Sequence, residues 1–197
     1  MSTNVDFLSA LDAALARALP DFERVETITR LSGGASQETW SFDALIEGNI
    51  EPLILRRSPG GGERVTTGSS AVTLEMEAIV IEASREVGVK APRVRYVLKP
   101  DDMAGHGYVM DRLMGETIAR KILRDHEFDA VRPKLARQCG EILARIHAVG
   151  TDKLASLLPV IDGPTQLRRY RDLYDSYDYP HPMFEYAFKW LEPRMAK

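Results

Sequence analysis

Cysteine, asparagine and histidine are scarce in this chain: its 197 residues include one Cys, two Asn and four His. The lone Cys139 excludes an intramolecular disulfide and suits a reducing compartment, and its apolar-periodic neighbourhood predicts a buried, inert thiol. Positive charge is not in excess. With 26 Lys and Arg against 29 Asp and Glu, a net charge of -3 and a pI near 5.9, there is no electrostatic case for a nucleic acid or an anionic membrane as partner. Long hydrophobic runs are also missing. No stretch approaches a membrane span, and Met1 to Pro20 carries Asp6 and Asp12 without a cationic start, so it does not read as a signal peptide. A soluble, cytoplasmic chain with a small-molecule partner is expected. What is present is 44% hydrophobic residues, enough for one good core or for a small domain plus part of a second. No repeat recurs at a fixed period.

Phe7, Leu8, Leu11, Leu15 and Leu19 keep helical spacing up to Pro20, which predicts an amphipathic helix packed on a sheet. Strands are predicted over Val25 to Leu31, Glu38 to Phe42 and Leu53 to Arg57, with a glycine-containing turn between the first two. Ser58 to Ser70 carries Pro59 and Gly60-Gly61-Gly62 and reads as a flexible surface loop. Val72 to Val87 reads as a helix closed by Gly88, and two further strands, Val94 to Leu98 and Tyr108 to Met110, flank the turn-rich segment Lys99 to Gly107. Five strands with one helix inserted after the third are therefore expected. Beyond them the pattern turns helical: Ala130 to Val149, then Gln166 to Tyr177 and Met183 to Met195, parted by Pro180 and Pro182. A boundary is placed near Leu113 to Gly115, giving lobes of residues 1–112 and 113–197.

Leu31-Ser32-Gly33-Gly34-Ala35-Ser36-Gln37 joins two predicted strands, and its small residues let backbone amides approach a phosphate without Cβ obstruction. Alone, a glycine pair in a hairpin is an ordinary tight turn. Its sequel gives it weight. Phosphoryl transfer needs a cation on the phosphates and an acid to hold that cation. Arg56 ends the third strand, and Glu77 on the following helix is spaced to pair with it. Glu75 is a rival on a different helix face, and Arg57, one residue on, would put the cation on the opposite sheet face.

These residues, taken with Leu-Ile-Leu-Arg-Arg on strand three, Met-Glu-Ala on the helix, Val-Lys-Ala-Pro-Arg-Val, Tyr-Val-Met-Asp-Arg-Leu-Met-Gly-Glu and Gly140 to His147, resemble the aminoglycoside phosphotransferase superfamily over roughly residues 25–149. The branch most similar is the one related to the kinase domain of acyl-CoA dehydrogenase fusion proteins. The resemblance implies an α+β chain: a protein-kinase-like N-lobe of five antiparallel strands plus helices, followed by an incomplete helical C-lobe. It implies that Gly33, Gly34, Ala35, Ser36 and Gln37 cover the triphosphate of ATP, that Arg56 replaces the usual lysine and that Glu77 orients it. Met110 to Leu113 would be the hinge: backbone groups of Met110, Asp111 and Leu113 meet the adenine edge, with apolar contact from Met110 and Leu113. Arg56 is a departure, since a guanidinium is not interchangeable with an ammonium.

A larger departure concerns the catalytic loop, where kinase-like enzymes place an Asp, a later Asn and a metal-binding Asp. The asparagines are Asn4 and Asn49, both before the hinge, and none of His106, His126, His147 or His181 is followed two positions later by Asp. No catalytic residue is therefore assigned, and Mg²⁺ is expected only in a complete parent protein. The expectation is an ATP-dependent phosphotransferase acting on a small-molecule hydroxyl, met as a truncated, proteolytic or split-gene piece that is inactive alone. The alternative is a non-catalytic nucleotide-binding or protein-interaction module that self-associates, or takes a partner chain, through residues 166–195.

Other features have plainer readings. Asp101-Asp102 with Asp111 suggests a metal cluster less than a solvated or capping pair. His147 reads as a packed or capped histidine, and His106 and His126 lack partners at metal spacing. Tyr170, Tyr174 and Tyr177, with Phe184, Phe188 and Trp190 nearby, read as an aromatic stripe on a helical core; the alternatives are a substrate wall or a surface awaiting a partner. Arg168, Arg169 and Arg171 read as a solvated helix edge before an anion site.

Overall fold

A computed structural model of the chain describes residues 2–32, 37–62, 72–152, 154–158 and 161–195. Helix α1 spans Ser2–Ala18 and is followed by strands β1 (Phe22–Arg30), β2 (Glu38–Ile46) and β3 (Asn49–Arg57). Helix α2 (Leu74–Glu86) precedes β4 (Val94–Val97) and β5 (Gly107–Asp111); α3 (Ala119–Arg124), α4 (Arg132–His147), α5 (Gly163–Ser176) and α6 (Pro182–Met195) complete the order. The five strands form one antiparallel sheet in the order β1-β2-β3-β5-β4, the α+β arrangement the sequence predicts.

Strands β2 and β3 run further than their hydrophobic runs suggest, because a tight hairpin closes them. Glu47 and Gly48 both take positive φ, 51° and 72°, the two-residue turn whose twist matches the flanking strands. Ile46 then pairs with Asn49 and Glu38 with Arg57. Thr73 caps α2 by accepting the Met76 N–H, and Gly88 at φ +81° follows its last turn, which explains why the helix stops where it does.

Strand periodicity sends alternate side chains to opposite faces. One face carries Phe42, Ala44, Leu53, Leu55 and Val109, buried against Phe7, Leu11 and Leu15 of α1. The other carries Tyr108, buried with Leu74 and Ala78 of α2 and flanked by Val94, Val97 and Met110. The sheet is thus covered by α1 on one side and in part by α2 on the other.

Two compact units are distinguished, one holding the sheet and helices α1 to α4, the other holding α5 and α6. Within the second, the Arg171 guanidinium donates to both Glu185 carboxylate oxygens at 2.8 and 3.0 Å and lies over the Tyr174 and Phe188 rings. The aromatic stripe is divided in two: Tyr174 packs on Phe184 and Phe188, while Tyr170 and Tyr177 are exposed.

Cys139 corrects one expectation, for it is exposed on α4. Ile142, Leu143 and Ile146 of the same helix are exposed too. Periodicity predicts that a helix has an apolar face, but not how far that face is covered.

Candidate functional site

Register sets Arg56 between Thr39 of β2 and Tyr108 of β5, and sets Ile54 between Ser41 and Met110. All six belong to the face opposite α1. Arg56 Nε donates to Glu77 Oε2 at 2.9 Å and Nη2 to Oε1 at 3.2 Å, a forked ion pair between β3 and α2. The buried Tyr108 hydroxyl donates to the same Glu77 Oε2 at 3.2 Å. Burial raises the Tyr108 phenol well above its ordinary range, and the Glu77 charge pushes the same way, so the hydroxyl keeps its proton for that bond. Sequence reasoning missed Tyr108; its place opposite Arg56 follows from strand register, which a single sequence does not fix.

A guanidinium has five N–H donors in a planar fork. Glu77 takes two of them on the Nε–Nη2 edge, and among the described residues Nη1 has no partner. Among the described residues, then, one edge of Arg56 is held by a carboxylate and the other has no acceptor. Glu75, the rival acid, sits 3.5 Å from His106 Nδ1. Burial pushes the Glu75 carboxyl up, but bonds from Thr73, its own backbone and His106 outweigh this and hold it below its ordinary value.

Arg57 points to the α1 side. Its Nε and Nη2 donate to Glu38 Oε2 at 3.1 and 2.6 Å, and Nη1 donates to the Ala104 carbonyl. The guanidinium lies 3.8 Å from the Phe7 ring centroid. Glu38 also accepts the Gly60 N–H and the Trp40 indole N–H. This cage is internal and holds the chain leaving β3 against the 104–106 turn.

Of the glycine-rich loop, Gly33, Gly34, Ala35 and Ser36 lie outside the described residues, as does most of the expected flexible loop, residues 63–70. Gln37 is described: its Oε1 is buried without a hydrogen-bond partner among the described residues, a state buried polar atoms rarely keep.

At the end of β5, Met110 is half-buried beside Ile54, while Leu113 is exposed. The Asp111 N–H is given to the Arg93 carbonyl at 2.9 Å and the Arg112 N–H to the Pro52 carbonyl at 3.0 Å. Among the described residues the Leu113 N–H has no partner, so it is the first open amide after the tied Asp111 and Arg112.

Two of the three acidic residues Asp101, Asp102 and Asp111 hold the fold together. Asp102 accepts from Arg17, Tyr96 and the Lys99 N–H, and Asp111 accepts from Arg95. Burial raises Asp102, but those bonds hold its carboxyl below the ordinary range. Tyr96 is pushed up to about 12 by burial and by its bond to Asp102.

A five-stranded antiparallel sheet with α1 on one face, and α2 on the other joined to β3 by an ion pair, is a kinase-like fold. The sequence profile of the Phosphotransferase enzyme family matches residues 27–196, and the chain belongs to that family. Its structure is similar to the crystal structure of a Ralstonia eutropha JMP134 protein provisionally assigned as an aminoglycoside phosphotransferase, with a TM-score of 0.60 at 17% identity. That match covers 93% of this chain and 52% of the other, so the chain spans about half the length of the solved structure it matches. At such identity the likeness speaks for the fold alone. Among curated proteins none matches this chain in sequence. Among the described residues no helix is long and apolar enough to cross a membrane.

Proposed function

We propose that these residues form the nucleotide-holding part of an ATP-dependent phosphotransferase that acts on a small-molecule hydroxyl. The observation that carries this reading is the forked Arg56–Glu77 pair, whose second guanidinium edge has no acceptor among the described residues. Arg56 takes the place of the usual lysine: a carboxylate orients the cation, and the free edge of the fork matches two phosphate oxygens. Ile54 and Met110 give the base an apolar floor one row along the sheet, and the Leu113 N–H gives it a donor. Asp111 contributes its backbone carbonyl on that edge. To Gly33 to Gln37 the reading assigns the phosphates, since small residues leave main-chain N–H groups accessible to an anion.

ATP supplies the phosphoryl group; the chain's own contribution is to bind and orient it. The catalytic Asp, Asn and metal-binding Asp of kinase-like enzymes are not recognisable in this sequence, where no asparagine follows Asn49, so no acceptor-side step and no Mg²⁺ site is assigned to these residues. We accordingly infer a lobe of residues 1–112 that binds nucleotide, a helical lobe beginning at 113, and no turnover by this chain alone.

Titrating the chain with ATP tests this. Arg56→Ala should weaken binding at least about tenfold, the loss expected for a charge-assisted bond, and unchanged affinity would refute the assignment.

A second reading rests on α5 and α6. Tyr170, Leu173, Tyr177, Tyr186 and Trp190 are exposed there, an apolar surface of the kind that self-association covers. Sedimentation equilibrium distinguishes it: a dimer that persists on dilution and is lost in Trp190→Ser supports assembly through residues 166–195, and a monomer rejects it.

A further inference from the structure

The hinge end of the sheet carries a charged arrangement that no sequence pattern announces. Arg112 is the first residue past β5. Its main chain is tied to Pro52 on β3, and its side chain crosses that strand to β2. There Nη1 donates to Ser41 Oγ at 2.7 Å and Nη2 donates to Asp43 Oδ1 at 2.6 Å. The other Asp43 oxygen accepts the Thr27 hydroxyl of β1 at 3.0 Å. Arg112 thus ties the end of β5 to β3 through its main chain and to β2 through its side chain, and Asp43 carries the link on to β1.

The bracing is local to the open amide. Asp111 is fixed through its N–H to Arg93 and through its carboxylate to Arg95, and Arg112 is fixed through its N–H and its fork. Leu113 comes next, its N–H without a partner among the described residues, and beyond β5 the chain is irregular and exposed at Leu113 and Met114. Residues 114–118 supply no strand or helix to hold Leu113 from the other side. The direction of the Leu113 N–H is therefore set by the residue before it.

We propose that the Arg112–Asp43 strut positions the Leu113 amide, so that the purine base of a nucleotide meets a donor already fixed in place. This rests on the nucleotide reading above. Arg112 is a positioning residue that acts through Leu113 and makes no demand on the phosphates. Its two bonds run to separate acceptors and need the planar fork, so a lysine would satisfy one at most.

The test compares two ligands on the intact chain: ATP, and inorganic tripolyphosphate, which has the phosphates without the base. In Arg112→Ala and Asp43→Ala, affinity for ATP should fall about five- to tenfold, the loss of roughly one hydrogen bond, while affinity for tripolyphosphate stays unchanged. Arg112→Lys should not restore ATP binding, and the double alanine variant should be no worse than either single one, because the pair acts as a unit. If the strut is merely structural, both ligands weaken together, which overturns the inference; so does ATP binding that no variant alters. If the unmodified chain binds ATP no better than tripolyphosphate, the base is not read and the inference falls. If it binds neither, the nucleotide reading fails and takes the inference with it.

Discussion

Replacing Arg57 with alanine should unfold the sheet far more readily than replacing Arg56, although the two are neighbours on one strand. The Arg57 and Glu38 side chains are 10% and 8% exposed. Removing the guanidinium leaves the buried Glu38 carboxylate with the Gly60 and Trp40 N–H groups and only the largely exposed Arg30, 3.5 Å away, as a cation, and it deletes the contact with the Phe7 ring. Breaking a buried pair in this way costs about 3–5 kcal/mol, or a Tm drop of roughly 6–20 °C for a chain of this size. The Arg56 and Glu77 side chains are 36% and 34% exposed, so solvent screens their pair and its loss costs about 0–1 kcal/mol, less than about 4 °C. Thermal melts of both variants, followed by far-ultraviolet circular dichroism, make the comparison. Equal destabilisation by the two substitutions would refute the assignment of Arg57 to structure and of Arg56 to an open site.

The Glu38 cage also predicts a pH dependence. Burial pushes the Glu38 carboxyl up, but bonds from Arg57, Gly60 and Trp40, with the Arg57 charge, outweigh it and hold the group below its ordinary 4.5. A depressed carboxyl contributes stability above its unfolded-state value and loses it as pH falls through the folded-state value. Urea midpoints should therefore be level above about pH 5 and drop below about pH 4.5, with a shallower drop in Glu38→Gln; an identical slope in both proteins would count against the cage. Gly105 offers a steric test. Its φ is +90°, and a Cβ there would meet Gly61 Cα at 2.4 Å and Gly61 O at 2.7 Å, so Gly105→Ala should cost about 2 kcal/mol or more, read as a lowered urea midpoint.

Strand alternation makes Arg56 and Arg57 face opposite sides, and this much is visible in Leu-Ile-Leu-Arg-Arg. Which one meets α1 is decided by Phe7, Glu38 and Ala104, contacts between distant parts of the chain that local pattern does not contain. The Glu77 partnership was legible because α2 is the next helix after β3 and only Glu75 and Glu77 lie in its first turn. Tyr108 and Arg112 were not legible: Arg112 reaches side chains 71 and 69 residues earlier, and no motif marks such a pair. Strand ends were hidden by polar residues such as Asn49 and Glu51, which the Glu47-Gly48 turn pulls into the ladder. Cys139 failed for the opposite reason, since its helix was correctly periodic but its apolar face stands exposed.

The most direct measurement is an amide and guanidinium NMR titration of the chain with ATP. The account predicts saturable shifts at the Leu113 N–H and the Arg56 Nε–H, with the Arg57 Nε–H unmoved in its cage. Shifts at Arg57 but not Arg56, or shifts confined to α5 and α6, would contradict the placing of the nucleotide on the sheet face opposite α1.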